Sequence, residues 1–142
     1  MSSLMIHVLD PNIITSYDMP CCIGEIQIGD FKETFEMPLV YWKIEDYQKQ
    51  WQEGIERIKT HDQSCLVAEL QDPNQEPRAI LWVLYKEGDK VYIRNRLLHG
   101  KLFSDMLKNE VFTVDTCYDF IKPRVVTPGS TVSEWVIDLN DL

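Results

Sequence analysis

The sequence is poor in glycine and lacks the common catalytic motifs. Only six of its 142 residues are glycine, and none of them forms a G-x-G-x-x-G or Walker pattern that would cradle phosphates. The nucleophile motif G-x-S-x-G and the metal or redox motifs H-E-x-x-H and C-x-x-C are missing as well. We therefore expect a protein that is not an enzyme and that needs no cofactor.

Long hydrophobic runs are also absent. No apolar stretch approaches the roughly 20 residues that a membrane helix requires, and residues 1–9 have no basic start of the kind found in signal peptides. We expect a cytoplasmic protein without membrane contact. A chain of 142 residues, 44% of them hydrophobic, suits one core, so residues 1–142 are predicted to form a single domain.

Cysteine is scarce and shows no pairing pattern. The four cysteines are Cys21, Cys22, Cys65 and Cys117. Because the chain has enough aromatic residues to build a core without disulfides, we predict reduced, buried thiols. His61, Asp62 and Cys65 could join the adjacent cysteines in a zinc site or form a small catalytic group. Paired ligand spacings are missing, however, so no metal site is predicted.

Basic residues are outnumbered. The chain has 23 acidic and 14 basic residues, a formal net charge of −9 and a pI of about 4.7. Nucleic-acid binding depends on lysine and arginine that neutralise phosphates, so DNA or RNA is disfavoured as a ligand. The acidic surface either serves solubility alone or steers a basic partner toward the protein.

Residues 79–98 form the centre of the predicted fold. Their pattern predicts two strands joined by a tight turn at residues 87–89. The first arm, residues 79–85, is an unbroken apolar run, which is typical of a strand in the middle of a sheet with both faces covered. The second arm alternates apolar and polar residues, which predicts one exposed face.

The polar side of that second arm holds Tyr92, Arg94 and Arg96. An aromatic ring between basic side chains could stack and hold nucleic-acid bases. In a protein with a net charge of −9, two arginines on a strand more often pair with nearby acids. We therefore predict ion pairs for these arginines.

The clearest helix is predicted from about Ile44 to Lys59, because apolar residues recur there at spacings of 3, 4, 4 and 3. Gly54 in its middle indicates the close approach of another backbone. The other predictions are strands at residues 4–9, 23–28, 31–37, 64–70 and 131–139, a loop at 10–22, a short helix at 101–110, and a second short helix that Thr113 caps and Pro123 ends.

Three segments together resemble the immunity proteins of bacterial contact-dependent growth inhibition systems. They are EMPLVYWKIEDY at residues 36–47, continuing to Trp51, WVLYKEGDKVYIRN at 82–95, and SEWVIDL at 133–139. A weaker fourth segment is Asp119-Phe120-Ile121 with Arg124. The resemblance runs from about residue 24 to the C-terminus and depends on the order and spacing of these segments.

The resemblance implies an immunity protein that is made beside a large secreted toxin. It would bind the C-terminal domain of that cognate toxin as a monomer in a 1:1 complex, and that domain would be a nuclease, for example an RNase. It also implies an α+β fold in which antiparallel sheets form a Whirly-like β-sandwich with one long amphipathic helix and a shorter C-terminal helix. The alternative is a nucleic-acid-binding module of the same Whirly-like fold.

An acidic inhibitor can occupy the basic cleft of a nuclease without any chemistry of its own. The candidate toxin-binding residues are the acids on predicted strand faces and loops: Glu25, Asp30, Glu33, Glu36, Glu69 and Asp72. For each acid taken singly, an ordinary solvated residue is the favoured interpretation.

Overall fold

The computed structural model describes residues 3–129 and 131–142. Within these residues the chain forms strands β1 (Leu4–Ser16), β2 (Met19–Ile28), β3 (Phe31–Pro38), β4 (Gln63–Leu70), β5 (Arg78–Glu87), β6 (Lys90–His99) and β7 (Trp135–Asp138), helices α1 (Ile44–Ile58) and α2 (Gly100–Asn109), and 3₁₀ turns at Cys117–Phe120 and Leu139–Asp141. The predicted α+β class is confirmed.

The strands form two antiparallel sheets. One has the order β1-β2-β3 and the other β4-β5-β6-β7. They meet at a cluster of three aromatic rings, in which the ring centre of Phe31 on β3 lies 4.6 Å from that of Trp135 and 6.2 Å from that of Trp82. β5 lies between β4 and β6 and is almost entirely buried, so its predicted place in mid-sheet is confirmed.

Helix α1 satisfies the outer edge of β4 with side chains. The Gln50 side-chain amide donates to the Cys65 carbonyl at 2.7 Å and accepts from the Val67 amide at 2.7 Å, as a neighbouring strand would. The Trp51 indole donates to the Val67 carbonyl at 2.7 Å. A Cβ placed on Gly54 would lie 2.3 Å from the Cys65 carbonyl oxygen. The close approach predicted at this glycine is therefore confirmed, and larger residues are excluded.

The N-terminal hairpin is longer than predicted. The predicted end of the first strand at Leu9 and the loop at residues 10–22 are wrong, because β1 continues to Ser16 and β2 begins at Met19. Pairing is interrupted by register shifts between Val8 and Ile14, and Pro11 lies in that interrupted region of an edge strand. An edge position with an irregular ladder tolerates proline, so Pro11 does not end the strand.

The helix predicted after Thr113 is replaced by a turn and the 3₁₀ segment Cys117–Phe120. The hydroxyl of Thr113 does accept hydrogen bonds from the backbone amides of Asp115 and Thr116, as a cap would. Both Cys117 and Phe120 are buried, and a 3₁₀ turn places residues three apart on the same side. Packing against the sheet thus outweighs the helical pattern.

The last strand is also shorter than predicted, since β7 covers only Trp135–Asp138. The residue before β7, Glu134, forms ion pairs with Arg94 at 2.5 Å and with Arg124 at 2.8 Å. Hydrogen bonds from Arg124 and from Arg94 lower the pKa of Glu134 to about 2. Burial opposes this shift but is outweighed. The predicted ion pairing is confirmed for Arg94 but is wrong for Arg96, which forms no ion pair with another described residue.

The exposed face predicted for β6 is wrong at Arg94, which is only 5% exposed. The C-terminal segment covers it, because Arg94 also donates to the Val125 carbonyl and the Arg124 guanidinium lies 4.0 Å above the Tyr92 ring.

The four cysteines are free and buried, as predicted.

Replacing Gln50 with leucine should destabilise the protein by roughly 2 to 4 kcal/mol, because a buried carbonyl and a buried amide on β4 would lose their partners. The matched control is Gln52→Leu on the exposed side of α1, which should change the free energy of unfolding by less than about 0.5 kcal/mol. Urea unfolding monitored by tryptophan fluorescence measures both. Equal effects of the two substitutions would contradict the role given to the Gln50 amide.

Candidate functional site

A groove of about 790 Å³ opens where the tip of the β1–β2 hairpin faces the loop between β4 and β5. Its lining includes five acids and one basic residue: Asp18, Glu36, Glu69, Asp72, Glu76 and Arg78. We call this the acidic groove.

The strands place these acids from three directions. Glu36 lies on β3 opposite Ile23, and its carboxylate accepts a hydrogen bond from the Ser16 hydroxyl of β1. Glu69 lies on β4 opposite Ile80, directly after an irregularity in the β4–β5 ladder. Three separate backbone segments therefore bring carboxylates into one concavity.

Asp72 organises the loop between β4 and β5. Its carboxylate accepts from the Asn74 amide at 2.9 Å, and its backbone carbonyl accepts from the amides of Gln75 and Glu76. This arrangement is an Asx turn, which is the usual reason for aspartate at such a position. The turn fixes Asp72 and Glu76 on the same wall of the groove.

The lining residues give the groove a negative formal charge. Burial raises the pKa of Glu69, and the carboxylates of Glu36 and Glu33 raise it further. The Arg78 guanidinium opposes this shift. Burial and the carboxylates of Glu36 and Glu69 also raise the pKa of the Cys21 thiol, which lines the same groove. A protonated thiol is a poor nucleophile, whereas the crowded carboxylates would be stabilised by an incoming cation.

The six predicted acids do not all converge. Glu36, Glu69 and Asp72 line the groove, and Glu33 is close enough to raise the pKa of Glu69. Glu25 instead faces His7 across the β1–β2 ladder at 3.6 Å. Asp30 lies in the turn between β2 and β3, the opposite end of that hairpin from the Cys21–Pro38 pair at the groove.

Asp18 and Glu76 were not predicted. Asp18 lies in the two-residue turn between β1 and β2. Because residues 10–22 were predicted as a loop, the hairpin that places Asp18 at the groove was not foreseen. Glu76 lies in a turn organised by Asp72. The Asp-Pro-Asn sequence at residues 72–74 is a turn signal in the sequence, but it does not indicate which side chains face the groove.

The loose group of His61, Asp62 and Cys65 does not form a site. Cys65 is buried with its sulfur 3.9 Å from that of Cys117, whereas His61 is exposed and contacts Thr60 and the Arg57 carbonyl. Within residues 3–129 and 131–142, no three or more histidine, cysteine, aspartate or glutamate side chains are grouped to hold a metal ion. In the same part of the chain, neither helix has the length and apolar character needed to cross a bilayer.

A concave surface lined by five acids and one arginine has the charge to accept a positively charged molecule. The family model described as the CdiI N-terminal domain matches residues 37–142. The chain belongs to this family, the CdiI immunity proteins, and is not an enzyme. The resemblance carried by the three sequence segments is thereby confirmed.

Two known proteins extend the comparison. The chain is 30% identical to the immunity protein CdiI of Enterobacter cloacae subsp. cloacae over 127 residues, which cover 84% of this chain and 80% of that protein. It is also similar to a chain of the CdiA-CT/CdiI toxin and immunity complex from Enterobacter cloacae, with a TM-score of 0.78, 27% identity, and coverage of 96% of this chain and 91% of the other.

The pKa of Glu69 provides a test of the groove. Replacing Glu36 with glutamine removes a neighbouring negative charge, so the pKa of Glu69 should fall toward its ordinary value of 4.5. Because the raised pKa means that the folded chain holds this proton more tightly than the unfolded chain, ionised Glu69 opposes folding at neutral pH, and acidification through that pKa relieves the opposition.

A pH titration of carbon-13-labelled glutamate side chains by NMR measures this change. The matched control is Glu25→Gln, which removes a carboxylate outside the groove and should leave the titration of Glu69 unchanged. A titration midpoint of Glu69 that moves equally in the two variants would show that Glu36 has no local effect.

Proposed function

We propose that this protein binds the C-terminal domain of the toxin produced with it and neutralises that domain in the cytoplasm of the producing cell. Membership of the CdiI family supports this, and so does the similarity to a chain whose structure is that of a toxin and immunity complex. The chain would act as one unit, residues 1–142, in a 1:1 complex.

The acidic groove is the observation that carries the docking model. Five acids line it against one arginine, and the whole chain has a net charge of −9. A nuclease, of which an RNase is one kind, has to be basic where it holds phosphates, so a nuclease domain is the proposed target. An inhibitor of complementary charge associates faster with the basic surface of a nuclease. It shields that surface without any chemical step.

The proposed interface centres on Glu33, Glu36, Glu69 and Asp72. A standard protein interface buries roughly 1,200 to 2,000 Å² in total, so it would extend beyond the groove onto the surrounding strands. Glu25 and Asp30 lie away from the groove and would contribute through their long-range field or at the rim.

The alternative function is nucleic-acid binding on a Whirly-like sandwich. The arrangement of two antiparallel sheets is compatible with that fold comparison. A nucleic-acid surface would need free basic side chains on a strand face, but Arg94 is buried in ion pairs with Glu134. The Whirly-like relationship is therefore proposed for the fold alone, and binding of the toxin domain is the favoured function.

Co-expression tests the function directly. The toxin domain encoded beside this protein should stop growth when it is produced alone, and cells that also produce the immunity protein should survive. An unrelated immunity protein produced at the same level is the control. A toxin domain that is harmless alone, or that kills in both cases, would refute the proposal.

Charge reversal tests the groove. The double variant Glu33→Lys and Glu36→Lys should slow association with the purified toxin domain by about tenfold or more at low ionic strength and flatten its dependence on salt. The control, Glu56→Lys and Asp115→Lys, makes the same change in net charge at exposed positions outside the groove. Stopped-flow fluorescence measures both rates.

The control double variant should reduce the association rate by less than about threefold, because only the overall field changes. Unchanged kinetics in the Glu33 and Glu36 variant would remove both residues from the interface. Equal slowing in the two variants would show that net charge acts without local docking at the groove.

A further inference from the structure

The second half of β1 and the turn that follows it carry four exposed apolar or aromatic side chains. Leu9 is 49% exposed, Ile13 66%, Ile14 43% and Tyr17 91%. We call these four residues the β1 ridge. Single exposed apolar residues are common on proteins, but several close together in sequence, with an almost fully exposed aromatic ring among them, are a candidate surface for a partner.

Tyr17 has a backbone conformation that tyrosine rarely adopts. The φ angles of Tyr17 and Asp18 are +49° and +60°, and these two residues form the turn between β1 and β2. Two-residue hairpin turns with positive φ at both positions prefer asparagine, aspartate and glycine. A tyrosine there is uncommon, and with its ring in solvent it returns little burial to the folded chain.

The ridge meets the acidic groove at Tyr17. Ser16, Tyr17 and Asp18 line the groove, and the Ser16 hydroxyl ties the hairpin tip to the Glu36 carboxylate. An aromatic ring therefore lies beside carboxylates in one surface. Lysine and arginine suit such a place, because the charged head pairs with carboxylates while the alkyl stem or guanidinium plane packs on the ring.

We infer that Tyr17 is the anchor residue for the toxin domain and that the β1 ridge is the apolar part of the same interface. This inference depends on the proposed function and identifies which group holds the complex after the acids have attracted it. The partner surface carries a lysine or arginine that enters the acidic groove, with apolar side chains next to it. Tyrosine is enriched among the few interface residues that carry most of the binding energy.

The backbone of β1 favours this partner over a second copy of the chain. A second copy would have to add a strand at the outer edge of β1, and strand addition needs a regular row of amides and carbonyls. The β1 ladder is irregular between Val8 and Ile14, and Pro11 in that interval has no amide hydrogen to donate. A second copy would also bring two acidic grooves together, whereas a basic toxin surface complements the groove.

Surface plasmon resonance with the purified toxin domain tests the inference. Tyr17→Ala should raise the dissociation rate about 30-fold while the association rate changes less than about threefold. Ile13→Ala should raise the dissociation rate about fivefold. The matched control is Val126→Ala, since Val126 is 68% exposed but lies outside the ridge and the groove, and it should leave both rates unchanged.

Tyr17→Asn separates binding from folding. Asparagine suits a positive φ, so this variant should unfold at the same or a higher urea concentration than the wild type, yet it should dissociate from the toxin as fast as Tyr17→Ala. A loss of binding caused by a disturbed turn would instead affect Tyr17→Ala and spare Tyr17→Asn, and that result would overturn the anchor role.

The outcomes distinguish this inference from the function on which it depends. Wild-type binding with unchanged dissociation in both Tyr17 variants would overturn the ridge and leave toxin binding intact. If the wild type fails to bind the toxin, the proposed function is wrong. A wild-type dimer in light scattering that Tyr17→Asn makes monomeric would assign the ridge to a second copy and overturn the inference.

Discussion

The contact between helix α1 and the edge of β4 is the constraint on which the arrangement of the two sheets depends. A strand edge has amides and carbonyls that require partners, and α1 supplies them with Gln50 and Trp51. The hydroxyl of Tyr47 extends the contact, because it donates to the Pro38 carbonyl at 2.8 Å and accepts from the Leu70 amide at 3.1 Å. The ends of β3 and β4 are thereby held together.

This contact also creates the acidic groove. Glu36 lies two residues before Pro38 on β3, and Glu69 lies next to Leu70 on β4, so the Tyr47 hydroxyl fixes the two strands that carry these carboxylates. Neutral, buried hydrogen bonds thus hold like charges near one another at the surface. The folding energy comes from apolar burial and hydrogen bonding elsewhere, which leaves the carboxylates free to serve a binding role.

Much of the fold could be predicted from the sequence, because the hairpin at β5 and β6 and helix α1 have strong local patterns. The close approach at Gly54 was also predictable, since glycine in the middle of a helix is costly without a reason. The passage of β1 through Pro11 was not, because it depends on an edge position that only the assembled sheet defines. The short 3₁₀ segment at Cys117–Phe120 reflects tertiary packing in the same way.

The acids of the groove illustrate a further limit, because their convergence depends on long-range register, and Glu36 and Glu69 are separated in sequence by the whole of α1. The same arrangement gives two carboxylates opposite responses to acid. Glu69 takes up its proton above the ordinary range, whereas Glu134, held by arginines, stays ionised to about pH 2. As a solution is acidified, Glu69 would gain its proton while Glu134 still bridged Arg94 and Arg124, so one charge of the groove would be lost before the C-terminal segment was released from β6.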